Sequence, residues 1–207
     1  MKLSKEEKAE RRRAEIVQAA YEVFAERGYH SAGIAQIAER LGIGHGTFYR
    51  YFQNKLDIFS HVIDRAMTQI AALVLAEDPE ASNTLAEYRA QVERISDGLF
   101  ALFTQDQALP QLLFVEALGI DEQLSSKLQL ALDLAVAYTE RYLLNGQAKG
   151  YLRADLDTAT TAQALNAMTF EGARRVVRAD DPVAACARWK RAVTQLLFEG
   201  IAQPDAG

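Results

Sequence analysis

The stretch from Gly33 to Lys55, GIAQIAERLGIGHGTFYRYFQNK, limits the possible folds of this chain more than any other segment does. Its first half has apolar residues three and four positions apart, the spacing of one helical face. Gly42 follows the last residue of that face, where a helix can end on a glycine with a positive φ. In the second half, Phe48 and Phe52 lie one helical turn apart behind a polar side. These features predict a helix-turn-helix, whose second helix enters the DNA major groove.

Charge is divided unevenly along the chain. Residues 1–60 hold ten basic and eight acidic residues, a net charge of +2, whereas residues 61–207 hold thirteen basic and twenty acidic residues, a net charge of −7. The overall charge of −5 alone argues against a nucleic-acid partner. The asymmetry, however, fits an N-terminal part that faces DNA and an acidic remainder that does not.

Cysteine content and hydropathy indicate the compartment. Cys186 is the only cysteine, which excludes an intrachain disulfide and a multi-cysteine zinc site. The N-terminal segment is charged and lacks the apolar core of a secretory signal. No apolar run approaches the roughly 20 residues that cross a bilayer. We therefore expect a cytoplasmic protein with no membrane partner.

Helical periodicity recurs along the whole chain, and no segment has the alternating pattern of a strand. The prediction is an all-α fold of nine helices, four before a polar boundary at residues 77–83 and five after it. A flexible charged arm over residues 1–10 is expected to precede the first helix, which is predicted from Arg11 to Arg27. Gly146 and Gly150 are expected to close the long helix that begins near Leu124.

A family resemblance rests on three runs of residues in one register. They are Ile16, Ala19–Ala20, Val23–Ala25 and Gly28–Tyr29; Ile37–Ala38 and Leu41–Ile43; and Gly46–Tyr49, Tyr51–Phe52, Asn54–Lys55 and Ile58–Phe59. Through them, residues 11–63, about a quarter of the chain, closely resemble the N-terminal domain of TetR-family transcriptional repressors. The C-terminal part matches only in outline, through its helices and the turn that begins at Gly150.

The resemblance implies a homodimer that binds a palindromic double-stranded operator and is released by a small ligand. It implies no cofactor. The N-terminal three-helix DNA-binding domain would span residues 11–57, with the helix-turn-helix at 34–53. Residues 58–203 would form the C-terminal effector-binding and dimerisation domain.

The predicted second helix of the motif, residues 45–52, carries most of the expected DNA contacts. The resemblance places Tyr49 at a phosphate or base edge and favours phosphate for Tyr51. Lys55 stands at a helix N-terminus, the unfavourable end for a cation, so a DNA phosphate would explain it. His45 and Arg50 are expected to reach base edges. The predicted DNA-binding residues are Gly44, His45, Thr47, Tyr49, Arg50, Tyr51 and Lys55.

Three positions depart from the family pattern. Gly33 offers no side-chain oxygen to cap the second helix, where relatives usually have Thr or Ser. Gly44 has no hydroxyl, and His45 is mostly neutral where relatives often carry Lys. These departures predict an individual operator preference. The basic run Arg11–Arg13 either approaches the DNA backbone or is a solvated face.

Other kinds of site are weakly supported. The run Gly42–Gly46 is similar to a glycine-rich phosphate cradle, but that interpretation requires a preceding strand and the preceding segment is predicted to be helical. His30, His45 and His61 are too far apart to suggest a metal site. No Ser, His and Asp arrangement indicates a catalytic triad, so we expect no enzyme. The alternative is a helical small-molecule-binding or enzymatic protein that has lost operator binding.

Aromatic residues on the middle helices of the C-terminal domain either form its core or line an effector cavity. Because residues 109–118 carry few charges, we expect a small apolar or amphipathic effector, with Glu116 or Arg141 fixing one polar group. The candidate ligand-binding residues are Phe100, Phe103, Phe114, Tyr138, Tyr142, Met168 and Phe170.

The last two predicted helices have apolar faces with small residues that permit close approach. A two-fold four-helix bundle would bury such faces between two subunits. The candidate dimer-interface residues are Ala164, Met168, Gly172, Val176, Val193 and Leu197, with Ile201 at the end of the same face.

Overall fold

The computed structural model describes residues 4–200, and every regular element in that range is helical. The predicted all-α fold of nine α-helices is confirmed for this range, while the domain limits remain predictions. Residues 1–3 of the expected arm, Ile201 and the predicted domain end at 203 lie outside the described residues. The helices are α1 (Lys5–Ser31), α2 (Ile34–Arg40), α3 (His45–Tyr49), α4 (Lys55–Leu75), α5 (Leu85–Gln105), α6 (Ala108–Gln111), α7 (Glu122–Ala148), α8 (Thr158–Val177) and α9 (Pro182–Glu199). A π-helical turn, Leu112–Glu116, continues α6 and is called the π turn below.

Helix α1 begins at Lys5 rather than Arg11, so the prediction of a flexible arm up to residue 10 is wrong where the structure describes it. The Ser4 hydroxyl accepts a hydrogen bond from the Glu7 N–H at 3.1 Å, and the Glu7 carboxylate accepts one from the Ser4 N–H at 2.6 Å. This reciprocal capping box is visible in the sequence as Ser-x-x-Glu, a signal that the charged composition obscured.

The first four helices enclose a tightly packed core. Phe24, Phe48, Phe52 and Phe59 are each at most 1% exposed, and they come from α1, α3, the segment after α3, and α4. By length and composition alone, α4 is long and apolar enough to cross a membrane. In the structure, Ile58, Phe59 and their neighbours on this helix are buried against the core. Packing within the domain therefore explains the apolar residues in the first half of α4.

Helices α5, α8 and α9 begin on side-chain caps that accept hydrogen bonds from the first turn. Thr84 caps α5, directly after the predicted boundary at residues 77–83. Asp157 caps α8, and Asp181 caps α9 ahead of Pro182 in the first turn. Each cap satisfies backbone N–H groups that a helix leaves without an internal partner.

The prediction that Gly146 closes α7 is wrong. Gly146 lies buried inside the helix, where an added Cβ would stand 2.8 Å from the Tyr151 ring. The chain turns instead at Gly150, which has a φ of 77°. The glycine at 146 therefore permits close packing, and the glycine at 150 permits the turn.

The π turn contacts both the N-terminal helices α1 and α4 and helix α8 of the C-terminal bundle. Its Leu112 and Leu113 are buried in the same continuous apolar core as Ile16 on α1 and Ile63 on α4. A second, smaller core contains Tyr88, Tyr142, Leu143 and Ala162. Helices α1 and α4, which flank the helix-turn-helix, are thus packed directly onto the π turn.

Candidate DNA-binding surface and ligand cavity

The turn between α2 and α3 has the geometry expected of a helix-turn-helix. Gly42 takes a φ of 62°, and the Ile43 N–H donates to the Ala38 carbonyl at 3.0 Å. Helix α3 spans five residues, His45–Tyr49, so the prediction that it reaches Phe52 is wrong. The Phe52 N–H still donates to the Phe48 carbonyl at 3.1 Å, which keeps the two buried rings together. Packing of these rings, rather than helix length, holds α3 in place.

The outer side of α3 carries the predicted DNA-contacting residues. Tyr49 is 55% exposed, and Gly44, His45 and Arg50 are also exposed. Thr47 and Tyr51 are half-buried beside them. No side chain caps α3, because its N-cap is Gly44, and an added Cβ there would meet no atom within 4 Å. The surface is therefore open enough to approach a DNA duplex.

Lys55 has a structural role that the sequence did not reveal. Its Nζ donates hydrogen bonds to the carbonyl oxygens of Tyr29, His30 and Ala32 at 2.7, 3.2 and 3.0 Å. The ammonium also lies 4.4 Å from the centre of the Tyr29 ring. Lys55 begins α4 but reaches the C-terminal end of α1, the favourable end for a cation. The carbonyl oxygens of α1 thus give a second reason for a cation at this position, and a DNA contact stays a prediction.

Arg13 supports the segment that follows α3. Its guanidinium donates to the Tyr51 carbonyl at 3.2 Å and lies 4.6 Å from the centre of the Phe52 ring. The same group is 2.6 Å from the His61 imidazole. This role of Arg13 is not visible in the basic run Arg11–Arg13, because the contacting residues lie 38 and 48 positions away in the chain.

Three other arginines of the first two helices already have acidic partners. Arg11 and Arg12 both pair with Glu15, at 3.2 and 2.9 Å. The Arg40 guanidinium donates to Glu26 at 2.5 and 2.7 Å, and it lowers the pKa of that carboxyl. Arg50, by contrast, forms no ion pair with another residue in the range 4–200. It is the clearest exposed cation beside α3 for a DNA contact.

A cavity of about 240 Å³ lies among α4, α5, α7, α8 and α9. We call it the apolar chamber. Four of the predicted ligand-binding residues line it, namely Phe100, Phe103, Tyr138 and Tyr142. The other walls are mostly aliphatic, with contributions from Trp189 and Lys190 of α9. Trp189 and Lys190 are not among the predicted ligand-binding residues, because the apolar face of α9 is predicted to form a dimer interface.

The remaining predicted ligand-binding residues lie outside the chamber lining. Phe114 and Phe170 pack edge to face, with ring centres 5.1 Å apart, and Phe114 also contacts Phe103 at 6.0 Å. Met168 is half-buried, and its carbonyl accepts a hydrogen bond from the Trp189 indole at 3.1 Å. These three residues support the chamber wall from behind.

Neither of the predicted polar anchors reaches the chamber. Glu116, on the π turn, accepts a hydrogen bond from the Tyr29 N–H at 3.2 Å. Arg141 pairs with Glu80 at 2.8 Å on the surface. Hydrophobic spacing did not reveal these partners, because both lie far away in the chain.

Several polar groups on the chamber wall are already hydrogen-bonded within the chain. The hydroxyls of Tyr138 and Tyr142 donate to the Glu77 carbonyl at 2.7 and 3.1 Å. The Tyr142 hydroxyl is protonated at neutral pH, and burial raises its pKa further above the ordinary value. The Asn166 amide donates to Thr139 and to the Ala162 carbonyl, both at 2.9 Å. Lys190 is the only charged residue among those that line the chamber.

A second, polar space of about 570 Å³ lies between α5 and α9. We call it the outer groove. It shares Phe100, Lys190 and Thr194 with the apolar chamber. Its other walls include Arg191 and the paired charges Arg89 and Glu199. A long molecule could therefore occupy the chamber with one end and the groove with the other.

The predicted dimer-interface residues fall on different sides of α8 and α9. Gly172, Val176, Val193 and Leu197 line the chamber, so their faces pack inside one subunit. The Trp189 indole lies directly against Gly172, and any Cβ there would collide with it. Periodicity alone could not tell packing within a subunit from packing between subunits. Of the six predicted residues, Ala164 is exposed and Met168 half-buried.

One chain of contacts connects the chamber to the DNA-binding helices. Phe103 lines the chamber and contacts Phe114 on the π turn. Glu116, on the same turn, binds the Tyr29 N–H, and the Tyr29 carbonyl accepts from Lys55. Gly28 permits this approach, because its φ is 71° and an added Cβ would stand 3.2 Å from the Glu116 carboxylate.

Other chemistries find little support in the described range. Among residues 4–200, no group of three or more His, Cys, Asp or Glu side chains could hold a metal ion. The glycine run Gly42–Gly46 follows a helix, α2, rather than the strand that a phosphate-binding loop requires.

Comparisons with known proteins agree with this geometry. The family profile described as "Bacterial regulatory proteins, tetR family" matches residues 16–62. The fatty acid metabolism regulator protein of Bacillus subtilis is 31% identical over 149 residues, which cover 72% of this chain and 75% of that protein. The transcriptional activator FasR of Mycolicibacterium smegmatis is 28% identical over 120 residues, which cover 58% of this chain but only 53% of FasR.

Structural similarity extends over nearly the whole chain. The crystal structure of the regulator FadR from Bacillus subtilis, in complex with stearoyl-CoA, superposes with a TM-score of 0.71 at 26% identity. The match covers 91% of this chain and 99% of FadR. With a helix-turn-helix, a helical C-terminal domain and a relative above 30% identity over most of its length, the chain belongs to the TetR family of bacterial transcriptional regulators.

Proposed function

We propose that this regulator is a repressor, that it binds a palindromic operator as a homodimer in the cytoplasm, and that a long-chain acyl ligand releases it. It acts by binding and not as an enzyme. The main support for this proposal is the apolar chamber, which lies in the same protein as an exposed helix-turn-helix. A regulator of this kind needs two sites and a physical connection between them.

In the operator complex, the outer side of α3 faces the major groove. Tyr49 and Tyr51 contact phosphates, and His45 and Arg50 reach base edges. Gly44 and Thr47 approach the duplex beside them, and Lys55 adds positive charge while it holds α1. A two-fold dimer places two copies of α3 in successive major grooves, about 34–36 Å apart.

The dimer forms through the outward faces of α8 and α9. Exposed small or apolar residues remain on those faces, including Ala164 and Ala167 on α8 and Ala192 and Leu196 on α9. Small residues allow helices from two subunits to approach closely. The residues that line the chamber then remain available for the ligand.

The ligand class follows from the shape and chemistry of the chamber. Its walls are mainly aliphatic and aromatic, and Tyr138 and Tyr142 have their hydroxyls occupied by Glu77. An alkyl chain packs against such walls and has no polar groups of its own, so its binding leaves no buried polar group unpaired. The relation to FadR, whose structure contains stearoyl-CoA, supports a fatty acyl group in particular.

Coupling between the two sites passes through the π turn. An acyl chain in the chamber displaces Phe103, and Phe114 follows because the two rings are in contact. The π turn then shifts Glu116 relative to Tyr29, at the junction that Lys55 also holds. Ligand binding therefore favours a state in which the two copies of α3 no longer match the operator spacing.

The DNA-binding part of the proposal is tested by selecting bound genomic fragments and measuring operator affinity at several salt concentrations. Arg50→Gln should weaken specific binding by about tenfold or more, because one base contact contributes about 1–3 kcal/mol. Arg178→Gln removes the same charge from an exposed position in the C-terminal domain and serves as the control. Absence of a sequence-specific complex at every salt concentration would contradict operator binding.

The coupling is tested with Glu116→Ala. This variant should bind the operator and palmitoyl-CoA separately, but palmitoyl-CoA should release much less DNA than it releases from the unaltered protein. Glu122→Ala, an exposed acidic residue at the start of α7, serves as the control. A full ligand response in Glu116→Ala would exclude the π turn as the connection. A reporter gene behind the operator tests the sign of regulation, since repression predicts higher expression when the acyl ligand is added.

A further inference from the structure

The wall between the apolar chamber and the outer groove contains a single charged side chain. Lys190 lines both spaces, together with Phe100 and Thr194. Its side chain is 29% exposed, so its aliphatic part is covered while its ammonium reaches the groove. The lysine therefore stands where an alkyl chain would leave the chamber and its polar end would begin.

The present partner of Lys190 is Asp97 on α5. The two side chains form an ion pair across the outer groove, and the Asp97 side chain is 65% exposed. Ion pairs this exposed contribute only about 0–1 kcal/mol, because water competes for both groups. Asp97 can therefore be replaced by a ligand oxygen without a large loss of stability.

Other polar groups near this position are less suited to a ligand head. Tyr138, Tyr142 and Asn166 have partners within the chain. Arg89 already pairs with Glu93 and Glu199. Arg191 is adjacent in sequence and lines the groove, but it does not reach the chamber.

We propose that Lys190 is the anchor for the acyl head group and exchanges the Asp97 carboxylate for an acyl oxygen when the alkyl chain fills the chamber. This proposal rests on the acyl ligand proposed above and identifies the residue that selects it. The acyl oxygen belongs either to the carboxylate of a fatty acid or to the thioester carbonyl of an acyl-CoA. Both are acceptors for an ammonium N–H, and the carboxylate forms the stronger, charge-assisted bond.

Affinity measurements with three probes of equal chain length test this assignment. Palmitate carries a carboxylate, palmitoyl-CoA a thioester carbonyl, and hexadecanol neither. Each probe is titrated below its micelle concentration, and binding is followed by calorimetry and by the fluorescence of Trp189, the only tryptophan, which lines the chamber. The series is measured on the unaltered protein, Lys190→Gln, Asp97→Asn and the control Arg178→Gln, whose exposed side chain lines neither space.

Lys190→Gln should weaken the binding of the acyl probe by about tenfold or more, as expected for a hydrogen bond to a charged group. Hexadecanol should change by no more than about twofold, because the alkyl contacts are retained. Asp97→Asn should strengthen acyl binding about two- to fivefold, because a competing ion pair is removed. A loss confined to palmitate assigns the anchor to a carboxylate, and a loss confined to palmitoyl-CoA assigns it to a thioester.

Arg178→Gln removes a positive charge outside both spaces and should leave palmitate binding within about twofold of the original. An equal loss in Arg178→Gln and Lys190→Gln would overturn the assignment, since general attraction would then explain the effect. Unchanged acyl affinity in Lys190→Gln would also overturn it, while the proposed function would stand if palmitoyl-CoA still released the operator. If the unaltered protein binds none of the three probes, the proposed ligand class fails and the anchor fails with it.

Discussion

The two halves of this regulator differ in how completely they are packed. In the N-terminal helices, the large side chains Phe48, Phe52 and Phe59 are at most 1% exposed. In the C-terminal bundle, α9 contains no fully buried residue, and a cavity of about 240 Å³ remains beneath it. The first half is built like a rigid protein interior, and the second half leaves space that a ligand can fill.

This difference has an energetic meaning. A well-packed core holds one arrangement, which a helix that reads DNA requires for a defined register. An apolar cavity lacks the dispersion contacts that a filled core would have, so a bound alkyl chain can supply them. Under the proposed function, a DNA-binding domain that resists deformation is combined with a bundle whose packing an acyl effector completes, and the π turn couples the two.

The largest predicted effect contrasts one phenylalanine from each half. Phe48→Ala should lower the free energy of unfolding by about 3–5 kcal/mol, because the ring is fully buried. Phe100→Ala should cost only about 1 kcal/mol, because this half-buried ring borders an existing cavity. Urea unfolding at one fixed protein concentration measures both values. Equal losses would contradict the difference in packing.

A smaller effect is expected at the junction between α1 and α4. Lys55→Met should lower the free energy of unfolding by about 2 kcal/mol, since it removes hydrogen bonds from a charged donor to three carbonyl oxygens. Thermal unfolding without DNA measures this change. An unaltered stability would show that these hydrogen bonds do not help to hold α1 against α4.

Gly172→Ala tests how far the C-terminal half tolerates added volume. The new Cβ would collide with the Trp189 indole, so the ring must move into the chamber. We expect a loss of about 1–3 kcal/mol in the free energy of unfolding and weaker binding of palmitoyl-CoA. A shift in Trp189 fluorescence provides the direct readout. If fluorescence and ligand affinity both stay the same, the indole does not pack on Gly172.

The smallest effect is expected at the start of α3. Gly44→Ser supplies a side-chain cap where the structure has room for it, and it should add a few tenths of a kcal/mol of stability, about the difference between glycine and a good cap. The same hydroxyl should change operator affinity more than it changes stability, because Gly44 lies on the side of α3 that is proposed to face DNA. Gly46→Ser, equally unobstructed but inside the helix, serves as the comparison.

Sequence patterns predicted the tightly packed half well. The spacing of Phe48 and Phe52 and the glycine at 42 defined the helix-turn-helix, because helical periodicity and positive φ are local properties. Contacts between distant residues were not visible in the same way. Lys55 was assigned to phosphate because nothing in its neighbourhood indicates the carbonyl groups of α1.

The C-terminal half was predicted less completely for a related reason. An apolar stripe on a helix shows that the face is covered, but not whether the cover is a core, a second subunit or a ligand. Gly172 and Val193 therefore appeared to belong to a dimer interface, although they line the chamber. Lys190 carried no signal at all, since a single lysine on an amphipathic helix is usually solvated.

The most direct test of the account is reciprocal linkage between operator and acyl ligand. Operator affinity is measured with and without saturating palmitoyl-CoA, and palmitoyl-CoA affinity is measured with and without saturating operator. We predict that each ligand weakens the other by the same factor, about tenfold or more, because both act on one equilibrium between two states. Simultaneous binding of both ligands at undiminished affinity would contradict the claim that filling the chamber releases DNA.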